Sequence, residues 1–134
     1  MAECPGQSTE IEYAASAGLL DRGIELFNRR AFFECHEVLE ELWRTERGER
    51  RLFLQGLIHL AVGFYHHPQG NDTGAERQLR KGLKKLAGHL PRFDGLDTGR
   101  VYHEGVEALD AIMRDTKLLH YPEIARAERG EGSH

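Results

Sequence analysis

The stretch Leu52–Tyr65 is the most apolar part of the chain, and its apolar side chains point in every direction when it is drawn as a helix. A helix that is apolar all round belongs in the middle of a protein. The stretch is shorter than the roughly 20 residues that span a bilayer, and it contains Gln55 and His59, so no membrane is expected as a partner. We therefore predict a buried central helix over about residues 49–66.

The rest of the chain also has helical periodicity, and no segment alternates apolar and polar residues as a strand would. We predict further helices from about residue 8 or 14 to 28, over about 31–45, from 73 to about 90, and over about 101–113. The fourth helix is expected to begin with Thr73 as its cap and Glu76 completing a capping box.

These helices predict an all-α fold, namely a compact single-domain bundle of about five helices covering residues 1–134. The apolar third helix is its axis, with the second and fourth helices beside it. Gly56 and Gly63 share one face of the third helix, where the missing side chains let a neighbouring backbone approach closely. The ends, about 1–8 and 126–134, are predicted to be mobile tails.

The charge balance disfavours general binding of nucleic acid, because 18 Lys and Arg stand against 22 Asp and Glu. Two cysteines are too few for a disulfide scaffold, and the N-terminal sequence lacks the pattern of a secretory signal, so we expect a cytoplasmic protein. The fourth helix has a basic side, for which solvated surface is favoured over a site for nucleic acid or an acidic partner. Its residues are Arg77, Arg80, Lys81, Lys84 and Lys85.

The second predicted helix contains the sequence FFECHEVLEELWR, in which HExxE stands where a zinc protease helix has HExxH. On a helical wheel, His36 lies on the core-facing side and Glu40 lies beside it at the edge of that side. Glu37 points away, so a zinc protease is disfavoured. Cys35 falls on the apolar face and is expected to be an inert core thiol.

A stripe of polar residues on the third helix consists of Gln55, His59 and His66. If this stripe faces His36 and Glu40, imidazole and carboxylate groups would converge in a partly apolar pocket. His36, Glu40, His59 and His66 would then suit a divalent metal ion, namely zinc, iron, nickel or manganese.

A purely structural network is the alternative interpretation of the same residues, because buried polar groups must find hydrogen-bond partners. Its members would be His36, Glu40, Trp43, Gln55 and His59. The indole N–H of Trp43 needs an acceptor, which Glu40 or Gln55 would supply. An enzyme is the least favoured alternative; in that case a metal-bound water would carry out hydrolysis, and the catalytic residues are unknown.

The chain resembles the family called domain of unknown function 309, whose pattern is a His-Glu-x-Leu-Glu-x-x-Trp helix, a Gln-Gly helix, and Gly-Asn-x-x-Gly-Ala opening a third. The resemblance covers about residues 24–90 and implies a small all-α fold and a cytoplasmic protein. It carries over no catalytic residue. The matching positions are His36, Glu37, Leu39, Glu40, Trp43, Gln55, Gly56, Gly70, Asn71, Gly74 and Ala75.

Two functional hypotheses follow from these residues. The first is a small pocket for a metal ion or a polar ligand, lined by His36, Glu40 and His59. The second is a module for protein interaction or self-association, forming a homo-oligomer, in which the polar cluster is purely structural.

Overall fold

Residues 5–128 form five α-helices. The computed structural model describes the backbone of residues 5–128 and the side chains of residues 14–128. The helices are α1 (Pro5–Asn28), α2 (Phe32–Thr45), α3 (Gly48–His66), α4 (Asp72–Leu86) and α5 (Thr98–Met113), and short 3₁₀ turns follow α3 and α4. Residues 5–128 contain no β-strand, only isolated backbone bridges, so the predicted all-α class is confirmed. None of these five helices is long and apolar enough to cross a membrane.

The third helix, α3, is the centre of the bundle, as predicted. It packs against α2 and against α4, while α1 packs on α2 and α5 packs on α4. Its apolar residues extend round most of its circumference, so it can be buried by both neighbours at once. The buried residues of α3 are Phe53, Leu54, Gly56, Leu57, Ile58, Leu60, Ala61, Gly63 and Phe64.

Glycines bring the backbones of α3 and α4 into direct contact. A Cβ atom on Gly82 of α4 would lie 2.7 Å from the carbonyl oxygen of Gly56 on α3. About two turns further along α3, a Cβ atom on Gly63 would lie 2.9 Å from the side chain of Leu79. The predicted glycine face of α3 is therefore the face that packs on α4, and the two helices run antiparallel.

The helix α4 begins with a different cap from the one predicted. Asn71 is the N-cap, and its Oδ1 accepts a hydrogen bond of 3.0 Å from the backbone N–H of Gly74. The prediction of Thr73 was wrong because the helix starts at Asp72, which places Thr73 inside the first turn. Asparagine is among the best N-cap residues for the same reason as threonine, since its side-chain oxygen satisfies a free N–H.

The segment that follows α5 returns to the ends of α1 and α3. Asn28 of α1 accepts from the backbone N–H of Ile124 at 2.8 Å and donates to the carbonyl oxygen of Ile124 at 2.9 Å. The ring of Tyr121 packs on Phe32 and Phe64, with centroids 5.6 and 5.5 Å apart. Residues 1–4 and 129–134, on which most of the predicted tails fall, lie outside the described residues.

Candidate functional site

His36 and Glu40 form a pair on α2, as their spacing predicts. Nε2 of His36 lies 3.2 Å from Oε2 of Glu40, and Nη2 of Arg44 lies 3.7 Å from the other oxygen of Glu40. The side chains of His36 and Glu40 are 24% and 39% exposed. The pair therefore lies at the edge of the core rather than inside it, where ion pairs contribute little to stability.

An aromatic patch adjoins His36 on the surface formed by α2 and α3. It consists of Phe33, His36 and Tyr65: the ring centroid of Phe33 lies 5.8 Å from that of His36 and 5.5 Å from that of Tyr65. Phe33 is 47% exposed and Tyr65 is 38% exposed. Two large exposed rings in contact make a small apolar surface.

Trp43 lies further along α2, against Arg51 of α3. The guanidinium carbon of Arg51 is 3.8 Å from the centre of the Trp43 ring, and Arg51 Nη1 donates to the carbonyl oxygen of Trp43 at 3.3 Å. Nε1 of Trp43 is buried and has no hydrogen-bond partner among the described residues. The predicted acceptors, Glu40 and Gln55, therefore do not receive this N–H.

His59 faces α4. Its Nδ1 lies 2.7 Å from Oε1 of Gln78, which is on α4. His59 also lines a groove of about 660 Å³ between α3 and α4, which we call the basic groove. The residues of the basic groove are Leu52, Gln55, His59, Lys81, Lys84, Lys85 and His89.

Burial lowers the pKa of His59 below its ordinary value, and the positive charges of Lys81 and Lys85 lower it further, while the hydrogen bond with Gln78 acts in the opposite direction. His59 is therefore a neutral imidazole at neutral pH. The two ammonium groups are close enough to act on its titration, so positive charge is concentrated at this part of the groove.

The lysines of the basic groove have no ion-pair partner among the described side chains. Among the residues with described side chains, none of Lys81, Lys84 and Lys85 forms an ion pair within 4.0 Å, and no Asp or Glu lines the groove. By contrast, Arg80 on the same helix pairs with Glu76 at 2.9 Å. The α4 side of the groove is thus uncompensated positive charge.

His89 closes one end of the basic groove. It is buried, and Nδ1 lies 2.9 Å from the carbonyl oxygen of Lys85 while Nε2 lies 2.9 Å from Oε1 of Glu49. Its ring packs on Phe53 and Phe93, with centroids 5.9 and 4.6 Å apart. Because both ring nitrogens already face oxygen atoms, His89 shapes the groove but has no nitrogen free for a ligand.

In the structure, the residues of the predicted polar cluster lie in three separate places. His36 contacts Glu40, Trp43 contacts Arg51, and Gln55 and His59 line the basic groove with residues of α4. No hydrogen bond or ion pair between described side chains joins His36 or Glu40 to His59, and none of the five predicted cluster residues is fully buried.

The four residues predicted as metal ligands, His36, Glu40, His59 and His66, are not gathered into one group. Within residues 14–128 no set of three or more His, Cys, Asp and Glu side chains is arranged to hold a metal ion. The rotation of α3 explains the difference, because its glycine face packs on α4 and carries the neighbouring His59 towards Gln78.

Cys35 is fully buried, and burial raises the pKa of its thiol to about 12, so it is the inert core thiol that was predicted.

The sequence did not predict that Lys81, Lys84 and Lys85 would line a groove. Their clustering on one side of α4 was visible in the sequence, but which neighbour that side meets depends on the packing of α3.

Comparison with known proteins shows similarity to one family over part of the chain. Residues 20–78 match the model of the family described as "Domain of unknown function (DUF309)", so the resemblance seen in the sequence is confirmed over that region. The matched region includes Gln55, His59 and Gln78. The lysines of the basic groove lie beyond it.

Two proteins with similar sequences have names that record no activity. The chain is 40% identical over 114 residues to the uncharacterized protein YpuF of Bacillus subtilis (strain 168), an alignment that covers 74% of this chain and 66% of the relative. It is 28% identical over 105 residues to an uncharacterized protein of Aquifex aeolicus (strain VF5), covering 76% of this chain and 32% of the relative. The chain thus spans less than two thirds of either relative.

Proposed function

We propose that this protein binds a small polar ligand in the basic groove between α3 and α4. The observation that carries the proposal is the set of three lysines that share one groove with Gln55 and His59 and have no carboxylate partner among the described residues. The volume of about 660 Å³ lies within the usual range for small-molecule sites, roughly 300–1,000 Å³. This proposal keeps the polar-ligand form of the sequence hypothesis and places it at His59 rather than at His36 and Glu40.

The charges of the groove favour an anionic ligand. A protein with a net charge of −4 concentrates positive charge at this groove, so an anion would be attracted there and not to the surface in general. The neutral imidazole of His59 and the amide of Gln55 would supply directional hydrogen bonds beside the charges. We place the protein in the cytoplasm, where small organic anions are abundant.

Citrate is a suitable probe because it is a small organic polyanion. In a titration followed by ¹H–¹⁵N NMR, we expect citrate to shift the backbone amides of α3 and α4 around His59 and Lys81, because those groups line the groove. The double variant Lys81→Gln/Lys85→Gln should weaken citrate binding by at least about tenfold, since each ammonium contributes roughly 1 kcal/mol to an exposed charge pair.

The matched control for that titration is Arg77→Gln, which removes one positive charge from an exposed position of α4 that does not line the groove. It should leave citrate binding within about twofold of the unsubstituted protein, because exposed charges at a distance are screened by salt. Shifts scattered over the surface, or equal losses for the groove variant and the control, would contradict the proposal.

Self-association through the aromatic patch is a second candidate function, and the exposed contact between Phe33 and Tyr65 favours it. Exposed aromatic rings are enriched at protein interfaces because they bury a large area at a small entropic cost. The patch is on the α2 side of α3, so this function would not compete with a ligand in the basic groove.

If the aromatic patch is an interface, Phe33→Ser/Tyr65→Ser should weaken self-association measured by sedimentation equilibrium by about tenfold or more. Leu119→Ser is the control, because Leu119 is an exposed apolar residue outside the patch. A protein that remains monomeric up to about 1 mM, a concentration corresponding to only ~4 kcal/mol of binding free energy, excludes this candidate.

A further inference from the structure

We infer that the ligand of the basic groove is a phosphate monoester whose phosphoryl group is held by the lysines and whose organic part lies on Leu52. This inference rests on the proposed function, since it names the class of ligand for the same groove. It depends on the kind of cation present, on the hydrogen-bonding groups beside the cations, and on the one exposed apolar side chain at the groove.

The cations of the groove are all lysines. A lysine ammonium is a compact point charge with three donors, and it suits the spread charge of a phosphoryl group. The two parallel donors of an arginine fix the orientation of a carboxylate or a phosphate, whereas a lysine binds a phosphate as a point charge from any direction. No arginine lines the groove, although several lie elsewhere on the helices that form it, among them Arg50 and Arg51 on α3 and Arg77 and Arg80 on α4.

The number of cations also favours a phosphoryl group. A phosphate monoester is close to a dianion at neutral pH and presents three terminal oxygens, because its second pKa is near 6. Lys81, Lys84 and Lys85 together supply three ammonium groups, none of which forms an ion pair within 4.0 Å with a described carboxylate, while the nearby carboxylate of Glu49 contacts His89. A monocarboxylate, with one charge and two oxygens, would leave part of this positive charge uncompensated.

The organic part of the ester has a place to bind at Leu52. Leu52 is one of the large apolar side chains that α3 leaves exposed, and it lines the same groove as the lysines. Gln55 and His59 follow it along α3 at intervals of three and four residues, so the three side chains lie on one side of the helix. A bound ester would therefore meet the apolar side chain of Leu52 and the polar side chains of Gln55 and His59 on the same side of α3.

The test uses isothermal titration calorimetry on the whole chain with three probes: phenyl phosphate, inorganic phosphate and malonate. Phenyl phosphate is expected to bind most tightly, because it has both the phosphoryl group and an apolar part. Malonate is a dicarboxylate of the same charge and is expected to bind at least about tenfold more weakly than phenyl phosphate. Inorganic phosphate should lie between the two.

Two variants separate the parts of the inference. Lys81→Gln/Lys85→Gln should weaken phenyl phosphate and inorganic phosphate alike, by about tenfold or more. Leu52→Ser should weaken phenyl phosphate by about three- to tenfold and leave inorganic phosphate unchanged, because only the ester contacts the apolar group. Circular dichroism of both variants checks that the helices are retained; Leu52 and Lys81 are exposed and Lys85 is half-buried, so folding is expected to be intact.

The possible failures are distinguishable. If malonate binds in the groove as tightly as phenyl phosphate, the phosphate class is overturned while the proposed anion site stands. If Leu52→Ser has no effect on phenyl phosphate, the placement of the organic part is overturned. If none of the three probes, nor citrate, binds in a manner that the lysine variant weakens, both the inference and the proposed function fail.

Discussion

His89→Ala is expected to lower the free energy of unfolding by about 3 kcal/mol, because it removes a buried ring that packs on Phe53 and Phe93. Loss of a buried aromatic side chain costs about 3–5 kcal/mol when the cavity stays open. His89 lies in the turn just after α4, where neighbouring residues are expected to move partly into the space left by the ring. The lower end of that range therefore applies. Urea unfolding in the absence of ligand measures the change.

Two matched variants separate packing from hydrogen bonding at His89. His89→Phe keeps the ring and loses both hydrogen bonds, so its loss of stability should be smaller than that of His89→Ala. Glu49→Ala removes only the carboxylate, which is 74% exposed, and should cost less than about 1 kcal/mol. Equal losses for His89→Ala and Glu49→Ala would show that the ring packing is not the source of the stability.

Gly82→Ala is expected to destabilise the protein by about 2 kcal/mol, although alanine is the better helix former. The new Cβ would lie 2.7 Å from the carbonyl oxygen of Gly56 and 3.0 Å from the side chain of Leu60. A backbone oxygen in the middle of a helix cannot turn aside as a side chain can, so α3 and α4 must separate. That cost exceeds the gain in helix propensity, which is at most about 1 kcal/mol.

Gly18→Ala is the control for this substitution, measured by the same urea unfolding. Gly18 lies in α1, where a Cβ atom would meet nothing within 4 Å, so alanine should raise stability by about 0.5–1 kcal/mol. Gly56→Ala should fall between the two variants, because its Cβ would lie 3.2 Å from the oxygen of Gly82. A stabilising effect of Gly82→Ala would show that the two backbones are further apart than 2.7 Å implies.

The fold was predictable from the sequence because its central element is unusual in composition. A helix that is apolar all round has to be covered on several sides, which places α3 in the middle and its two neighbours in the sequence beside it. The glycine face of α3 was also visible, since Gly56 and Gly63 are seven residues apart. These features depend on the periodicity of one helix and need no knowledge of the others.

The site was less predictable because it depends on how two helices are rotated against each other. The sequence placed His59 on one stripe of α3 but did not say which neighbour that stripe would meet. Contact between Gly56 and Gly82 sets this rotation, so His59 meets Gln78 and the lysines of α4 instead of His36. His89 follows α4 in a 3₁₀ turn, where no periodicity marked it as buried.

The pair of hydrogen bonds between Asn28 and Ile124 has a consequence for the order in which the protein can form during synthesis. Residues 28 and 124 are 96 positions apart, so this closure waits until nearly all of the described chain has left the ribosome. Before then, α1 to α4 can already associate through neighbouring helices, yet the rings of Phe32 and Phe64 lack the cover that Tyr121 supplies. We therefore expect a nascent chain in which α1 to α4 have associated to display an aromatic surface that the finished protein conceals.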